Sequence, residues 1–437
     1  MHVVKFGGSS CADAEQVSKI RQIVQDNPER TVVVVSAPGK RHAQDHKVTD
    51  MLYLAHQLFS IGMGGGEVFT AVGMRYAEII EGLGLQFPLE AELEQIRDAL
   101  SHGASEDYCA SRGEYLCAKI VAEALNYRFV DAWDVIAFNE DRTLNYDETE
   151  KRCRERLTGE RVVVPGFYGA MPDGEIVTFS RGGSDITGSV LAAALKADLY
   201  ENWTDVSGFL ATDPGIVQDP KTIDVITYDE LHELSYMGAK VLHEDAVYPA
   251  HRAGVPIQIK NTNHPDAAGT RIVLKPEDDT PIVTGISGKK GFMAVEVTKR
   301  HGAGDTGFLR RLISVFEAND CGVEHIPSSI DTFSVLVREE PFRSKQKKIL
   351  EEIDIFSEPD SIRVSDHIAL LAVVGEGMAD HPGVAARVFA ALGREGISIK
   401  MILQGASELN IILCVDEKDF EPAVRALYRE FFEEESK

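Results

Sequence analysis

Paired cysteines are missing from this sequence. Its six cysteines (Cys11, Cys109, Cys117, Cys153, Cys321, Cys414) are scattered over 437 residues and none forms a Cys-x-x-Cys unit. That excludes a disulfide scaffold, a zinc ribbon and a redox dithiol, and fits reduced thiols in a cytosolic protein. Positive charge is also short: 45 Lys and Arg face 70 Asp and Glu, a formal net charge of −25. A polyanion would be repelled, so nucleic acid is not an expected partner. The longest apolar run, Ile368 to Val374, falls far short of the roughly 18 residues of a membrane helix, so no membrane partner is expected. Met1 to Phe6 reads as a strand rather than a leader, and a cytoplasmic location is expected. There is no Gly-x-x-x-x-Gly-Lys-Ser/Thr loop. The His-Glu-x-x-His pattern fails twice, at Tyr236 and Val247, and the thirteen histidines show no ligand spacing. No metal site made by the protein itself is expected.

What is present is an ordinary globular mixture, 44 % apolar and 26 % charged, in a chain long enough for two or three domains. The first 280 or so residues alternate short β-rich runs with helical patterns. Val3 to Phe6 and Thr31 to Val35 are continuous apolar runs, as expected of strands covered on both faces. Between them, Val17, Ile20, Ile23 and Val24 recur at helical spacing. Val162 to Pro165, Leu199 to Trp203 and Val255 to Ile259 read as further strands, so the class is α/β with a largely parallel sheet. The glycines at 62 and 64 to 66 read as a loop between helices, since Glu67 stands where Gly-x-Gly-x-x-Gly needs its third glycine.

A polar, proline-bracketed stretch, Lys275 to Pro281, marks a domain boundary. Beyond it lies an internal repeat at an offset of 76. Gly307 to Phe316 aligns on Gly383 to Leu392, Val295 to Val297 on Leu371 to Val373, Val323 to Ile326 on Ile399 to Ile402, and Phe333 to Val337 on Leu409 to Leu413. The shared apolar pattern predicts two β-α-β-β modules packed side by side. On this alignment Glu324 corresponds to Lys400.

Four glycine- or hydroxyl-rich turns carry the chemistry. The first, Lys5-Phe-Gly7-Gly8-Ser9-Ser10, ends a buried strand and leads toward a helix. Its glycines let backbone amides approach an anion, and a helix N-terminus adds partial positive charge. The second, Phe179 to Thr187, sets Arg181, two glycines, Ser184 and Asp185 between a strand (Glu175 to Phe179) and a helix (Ile186 to Ala197). Arg suits bidentate binding of a carboxylate, and Asp185 is placed to hold ammonium groups. The third is Trp203-Thr204-Asp205-Val206-Ser207-Gly208 and the fourth Met237 to His243, with Lys240 at a helix start. Turns that follow parallel strands gather along one edge of the sheet, where open α/β folds bind ligands.

Six segments in this order, Lys5 to Ser10, Ser36-Ala-Pro-Gly-Lys40, Ser111-Arg-Gly-Glu114, Ser180 to Asp185, Trp203 to Val206 and Gly238 to His243, resemble the aspartate kinases of the amino acid kinase family. The two C-terminal repeats resemble its paired ACT regulatory modules, and the similarity covers essentially the whole chain. The resemblance implies a three-layer αβα catalytic domain at 1–283 and two ferredoxin-like βαββαβ modules at 284–365 and 366–437. It implies transfer of phosphate from ATP, brought with Mg²⁺, to the β-carboxylate of L-aspartate, the entry to lysine, threonine and methionine synthesis. By position, Lys5, Gly7 and Gly8 would stabilise the transferring phosphoryl group, Asp185 would organise the lysines and Lys240 would offset charge on ADP. Ser36, Thr49, Glu114, Arg181 and Ser184 would hold aspartate, Arg181 on its α-carboxylate and Glu114 on its α-ammonium. Ser9, Thr204, Asp205, Leu210 and Val241 would complete the nucleotide site. Leu210 and Gly215 depart from the family pattern, which has a tyrosine and an arginine there. An inhibitory amino acid would sit against Gly307, Phe308, Leu309, Glu324, Ser328 and Ser329; the anionic Glu324 favours lysine over threonine. ACT pairing implies a homodimer or homotetramer. Two other readings stay open: an acyl-phosphate-forming kinase of glutamate, and a catalytically silent amino-acid sensor.

Overall fold

The structure is a computed structural model that describes every residue except 64, 181, 240, 241, 243, 277–280, 301–304, 306, 380 and 434–437, and the side chain at 244. The chain divides into two compact units. The first is Met1–Phe209, Thr222–Tyr228 and Val241–Pro276; the second is Leu210–Lys221, Asp229–Lys240 and Glu277–Lys437. Two excursions of the N-terminal 283 residues therefore belong to the second unit.

The strands of the first unit are β1 (His2–Phe6), β2 (Arg30–Val35), β3 (Arg128–Phe129), β4 (Val162–Pro165), β5 (Tyr168–Ala170), β6 (Ile176–Thr178), β7 (Leu199–Thr204), β8 (Val225–Thr227), β9 (Ile257–Asn261) and β10 (Thr270–Val273). Eight of them form one sheet in the order β3-β4-β2-β1-β7-β9-β10-β8, and β5 and β6 make a separate hairpin. Every described pairing in the large sheet is parallel except β9 with β10. Val3, Val4, Val32 to Val35 and Val162 to Val164 have no exposed surface, because helices cover both faces. On one face Val4, Phe6, Val33, Val35 and Trp203 pack with helices Ala14–Asp26, Val48–Ser60, Gly66–Leu83, Leu89–Ser101 and Glu106–Leu125. On the other, helix Gly183–Leu195 lies over β1, β2 and β7. The C-terminal ends of β1, β2, β4, β7 and β9 consequently share one edge.

Two local shifts matter. The chain after Gly7 forms a short 3-10 turn, Gly8–Cys11, before Asp13 caps the first α-helix by accepting from the Gln16 amide at 2.9 Å. The helix expected from Ile186 starts at Gly183 instead. Ser184 and Asp185 thus lie in its first turn, where the helix dipole favours a carboxylate.

In the second unit, β11 (Gly285–Thr298), β12 (Val323–His325), β13 (Thr332–Arg338), β14 (Ser361–Val374), β15 (Met401–Leu403) and β16 (Asn410–Asp416) form one antiparallel sheet ordered β12-β13-β11-β14-β16-β15. The two long strands serve two modules each. Phe292–Thr298 of β11 pairs with β13 and with the first half of β14; Ile368–Val374 of β14 pairs with β16 and with Gly285–Lys289. The first module therefore runs βαββαβ from Phe292. The second takes its last strand, Gly285–Lys289, from the chain segment that precedes the first. Where the strands change duty both are irregular, with Gly291 at φ +88° and His367 at φ +55°.

The offset of 76 holds for β11 on β14 and for helix Phe308–Ala318 on helix Val384–Arg394. It breaks afterwards. Val335 faces Val295 as Leu413 faces Leu371, so the last strand is shifted by 78 and the second copy has two more residues in its final turn. Phe333 to Val337 therefore matches Ile411 to Val415, not Leu409 to Leu413. Glu324 lies in a bulge between Val323 and His325 and has no one-to-one counterpart. Lys400, expected to be its equivalent, pairs with Asp416 at 2.9 Å.

Candidate functional site

The first unit holds a part-buried ion pair. Lys5 is 5 % exposed, and its Nζ donates to Asp185 Oδ1 at 2.5 Å. Pairing of β1 with β7 sets Lys5 beside Asn202, whose Nδ2 donates to the same oxygen at 2.7 Å. Tyr200 Oη donates to the Asp185 carbonyl at 3.1 Å. Three neighbours on two elements thus fix Asp185, and Asp185 fixes the ammonium group.

Above the pair lies the glycine loop. The Gly7 amide donates to the Trp203 carbonyl at 3.0 Å, so it is committed to the fold and is not the free donor expected. Gly8 and Ser9 head the 3-10 turn, where a helical turn leaves its first amides without internal acceptors. A Cβ on Gly39 would lie 2.7 Å from the Gly8 carbonyl carbon and 2.9 Å from the Ser9 nitrogen, and the Gly39 amide donates to the Gly8 carbonyl at 2.8 Å. Glycine at 39 therefore lets the second loop close on the first. Arg75 holds that second loop, donating to the Gly39 carbonyl at 3.0 Å and to both oxygens of Asp45 at 2.7 and 2.6 Å. Hydrogen bonding from Arg41, with charge from Arg75, keeps the Asp45 carboxyl far below the usual range. Ser36 is half-buried beside this loop, its amide bonded to the Phe6 carbonyl at 3.1 Å, and Thr49 stands in the first turn of the next helix.

Glu114 carries the other unusual charge. It is 4 % exposed on helix Glu106–Leu125. One carboxylate oxygen accepts from the Ala37 amide at 3.0 Å, and the other is buried with no hydrogen-bond partner. Burial pushes its carboxyl up to about 8, against the pull of the Ala37 amide and of Arg112. That unsatisfied oxygen leaves a place for a donor or a cation. Arg112 does not fill that role: it donates to Ser111 Oγ and its guanidinium lies over the rings of Tyr108, Tyr115 and Tyr168.

Ser184 is 9 % exposed and packs on Gly166, where a Cβ would come within 2.6 Å of its Oγ. Arg181 lies outside the described residues. Phe167 holds φ +80° with its amide bonded to Thr187 Oγ1 at 3.0 Å, a left-handed aromatic residue pressed against Gly183. Its sequence context gave no sign of it. Thr204 ends β7 half-buried, with its hydroxyl donating to Asp205 Oδ1 at 3.2 Å, and the Asp205 carbonyl accepts from Asn261. Leu210 belongs to the second unit and is 38 % exposed. Gly215 donates its amide to Asp213 Oδ1 at 2.8 Å. Lys240 and Val241 lie outside the described residues.

In the second unit, Phe308 is buried and Leu309 is 37 % exposed at the start of their helix. The Gly307 amide is taken by Asp305 Oδ1 at 3.1 Å. Ser328 bridges to Phe333, the Ser329 amide donates to the Thr332 carbonyl, and both serines are exposed. Both oxygens of Glu324 are engaged: Arg338 Nε donates to one at 2.8 Å and Tyr236 Oη to the other at 2.9 Å. Burial pushes the Glu324 carboxyl up, but these hydrogen bonds outweigh it and hold the group below its usual value. Lys289 Nζ stands 4.9 Å over the Tyr236 ring. Among the described residues no helix is long and apolar enough to cross a membrane.

Comparison with known proteins places these features in context. A model of the amino acid kinase family matches residues 1–261, and an ACT domain model matches residues 371–431. The chain is 39 % identical to aspartokinase 3 of Bacillus subtilis (strain 168) over 451 residues, with 99 % of each chain covered. The crystal structure of Clostridium acetobutylicum aspartate kinase superposes with a TM-score of 0.93 at 43 % identity, covering 99 % of this chain and 100 % of that one. Two structures of aspartokinase III of E. coli also match over 99 % of this chain. One, with aspartate and ADP in the R-state, has a TM-score of 0.70 at 26 % identity and is covered over 100 % of its length. The other, with lysine and aspartate in the T-state, has 0.73 at 27 % and is covered over 99 %.

The state of Glu114 has a measurable consequence. Its carboxyl is raised from 4.5 to about 8, so between those values the folded protein retains a proton that the unfolded chain releases. Its contribution to stability is present in full below 4.5 and is lost as pH rises to about 8, at about 1.4 kcal/mol per pH unit. Glu114→Gln should be free of this loss. Denaturant melts from pH 5 to 8 are expected to show the variant gaining on the parent protein as pH rises; parallel profiles would mean that Glu114 ionises normally.

Proposed function

The chain belongs to the amino acid kinase family and is an allosterically regulated aspartate kinase with a C-terminal ACT region, and from that premise we propose which of its residues perform the transfer and its control. An oxygen of the aspartate β-carboxylate attacks the γ-phosphorus of ATP. The bond to the β–γ bridging oxygen breaks, ADP leaves with the electron pair, and 4-phospho-L-aspartate forms. The attacking carboxylate is already ionised at neutral pH, so no general base is required. The obstacle is the approach of two anions, and catalysis is positioning with charge neutralisation.

The observation that carries the assignment is the part-buried Lys5–Asp185–Asn202 cluster under the glycine loop. Lys5 meets the transferring phosphoryl group together with the Gly8 and Ser9 amides. Gly7 contributes through its amide, which is bonded to the Trp203 carbonyl and so holds the loop beside Lys5. Asp185 orients Lys5 and takes no proton. Aspartate presents its α-ammonium to the unsatisfied oxygen of Glu114 and its α-carboxylate to Arg181, with Ser36, Thr49 and Ser184 alongside; arrival of the ammonium draws Glu114 into its ionised form. The nucleotide is assigned to Thr204, Asp205, Leu210, Lys240 and Val241, with Lys240 offsetting charge on the leaving ADP. Asp185 is already shared by Lys5 and Asn202, which fits a Mg²⁺ held by ATP phosphates and water rather than by this carboxylate. ADP and aspartate occupy one of the E. coli relative's structures, which supports the same two substrates here.

For control, the lysine-bound T-state of that relative supports lysine as the inhibitor, with its ammonium drawn to Glu324. Here the carboxylate is held by Tyr236, which ends helix Tyr228–Tyr236 four residues before Lys240. A ligand ammonium competes with the Tyr236 hydroxyl, and that competition links the effector to the segment carrying the ATP lysine.

Lys5→Ala should lower kcat at least 10²-fold, about 2.7 kcal/mol of transition-state stabilisation, in a hydroxamate assay with aspartate and ATP; near-normal turnover would overturn the assignment. In the same assay with added lysine, Glu324→Ala should abolish inhibition, whereas Tyr236→Phe should lower the inhibitory concentration several-fold. Unchanged sensitivity in both variants would remove this site, and inhibition by threonine alone would replace the effector.

A further inference from the structure

We propose that the seam between the two ACT modules is a binding site for a transition-metal dication of the zinc type, formed by Glu339, His367 and Glu417. Their ligand atoms all lie within 4.8 Å of one another. The three come from separate places: Glu339 opens the helix Glu339–Ser357 of the first module, Glu417 follows β16 of the second, and His367 sits where β14 passes from one module to the other.

The three groups are held by their neighbours. His367 Nδ1 faces Glu417 Oε2 at 3.8 Å, while its other nitrogen, Nε2, faces Asp366 Oδ2 at 3.8 Å. At 3.8 Å the Asp366 contact is too long for a hydrogen bond; closing it when the other nitrogen meets an ion would give the outer support usual for a ligating imidazole. The carboxylates are oriented too. Glu417 Oε1 accepts from the Gly291 amide at 2.7 Å. Arg343 donates from Nε and Nη2 to a single oxygen of Glu339, at 3.0 and 2.6 Å. Arg343 also stands 3.6 Å from Asp366, so one guanidinium faces two carboxylates, and Glu417 adds a third acid to the cluster. The irregular backbone at Gly291 and His367 aims these groups, as strand bulges do.

The donor set selects the ion. One imidazole and two carboxylates suit zinc with a water in the fourth position, at about 2.0–2.2 Å from each ligand. Mg²⁺ prefers a shell of oxygens and retains its waters, so the ion that accompanies ATP is a poor occupant. Closing the three side chains on zinc would tie the start of the second helix of the first module to the turn before the second helix of the second.

The test uses the tag-free full chain, stripped of metal and without nucleotide, titrated with Zn²⁺ and separately with Mg²⁺ by calorimetry. The expected result is one Zn²⁺ per chain with little Mg²⁺ binding. His367→Asn and Glu417→Gln should each weaken zinc at least tenfold, and His102→Asn, at an exposed histidine elsewhere, should not. Co²⁺ in place of zinc should give the intense visible absorption of a four-coordinate site, lost in His367→Asn. These ligand side chains are half-buried or exposed, so folded variants are expected, checked by unchanged kinase turnover without zinc. Absence of zinc binding at 100 µM (about a −5.5 kcal/mol threshold), or equal affinity in both variants and the parent protein, would overturn the proposal.

Discussion

Lys5 is buried and meets a half-buried Asp185, and removing the carboxylate would leave the ammonium stranded in the protein. Asn202 and Tyr200 complete the arrangement from β7. The position of the pair requires β1 and β7 to be neighbours and helix Gly183–Leu195 to begin at Gly183. Much of the first unit can be understood as the framework that holds one ammonium group at the foot of a glycine loop. A cation fixed beforehand requires no reorganisation when phosphate charge develops beside it.

Glu114 is the complementary case. There the protein buries an acid and leaves one oxygen unanswered, at a cost in stability that appears as a raised pKa. Glu324, in the second unit, follows a third pattern: a carboxylate answered twice by its own chain, so that an incoming ammonium must displace a partner. The three acids differ in what already occupies them, and the roles proposed for them, orienting, receiving and sensing, rest on that difference rather than on residue type.

How much of this could be read from the letters varied by scale. The alternation of valine-rich runs with helical patterns was enough for the parallel sheet, because burial on both faces leaves continuous apolar strands. The glycine turns were legible because the chemistry needs bare backbone close to an anion. Lys5 and Asp185 were both named, but their contact spans 180 residues and no local pattern encodes it. Gly7 looked like a free donor, since nothing in the sequence shows that the Trp203 carbonyl takes its amide. The repeat was read correctly through the helix and misread beyond it, since apolar alternation survives a shift of two residues without changing face. Phe167 and the Glu339–His367–Glu417 grouping had no signal at all. One depends on a backbone angle, and the other on three segments drawn together only by the sheet.

The exchange of strands between the regulatory modules bears on how this region can be cut. Gly285–Lys289 completes the second module yet is encoded before the first, so the seam in space and the seam along the gene do not coincide. A fragment beginning at Phe292 would carry every helix of the pair and still expose a raw sheet edge, open to association with any free strand. The smallest self-contained regulatory piece must start no later than Gly285, and neither module can be traded for a relative's by a single splice.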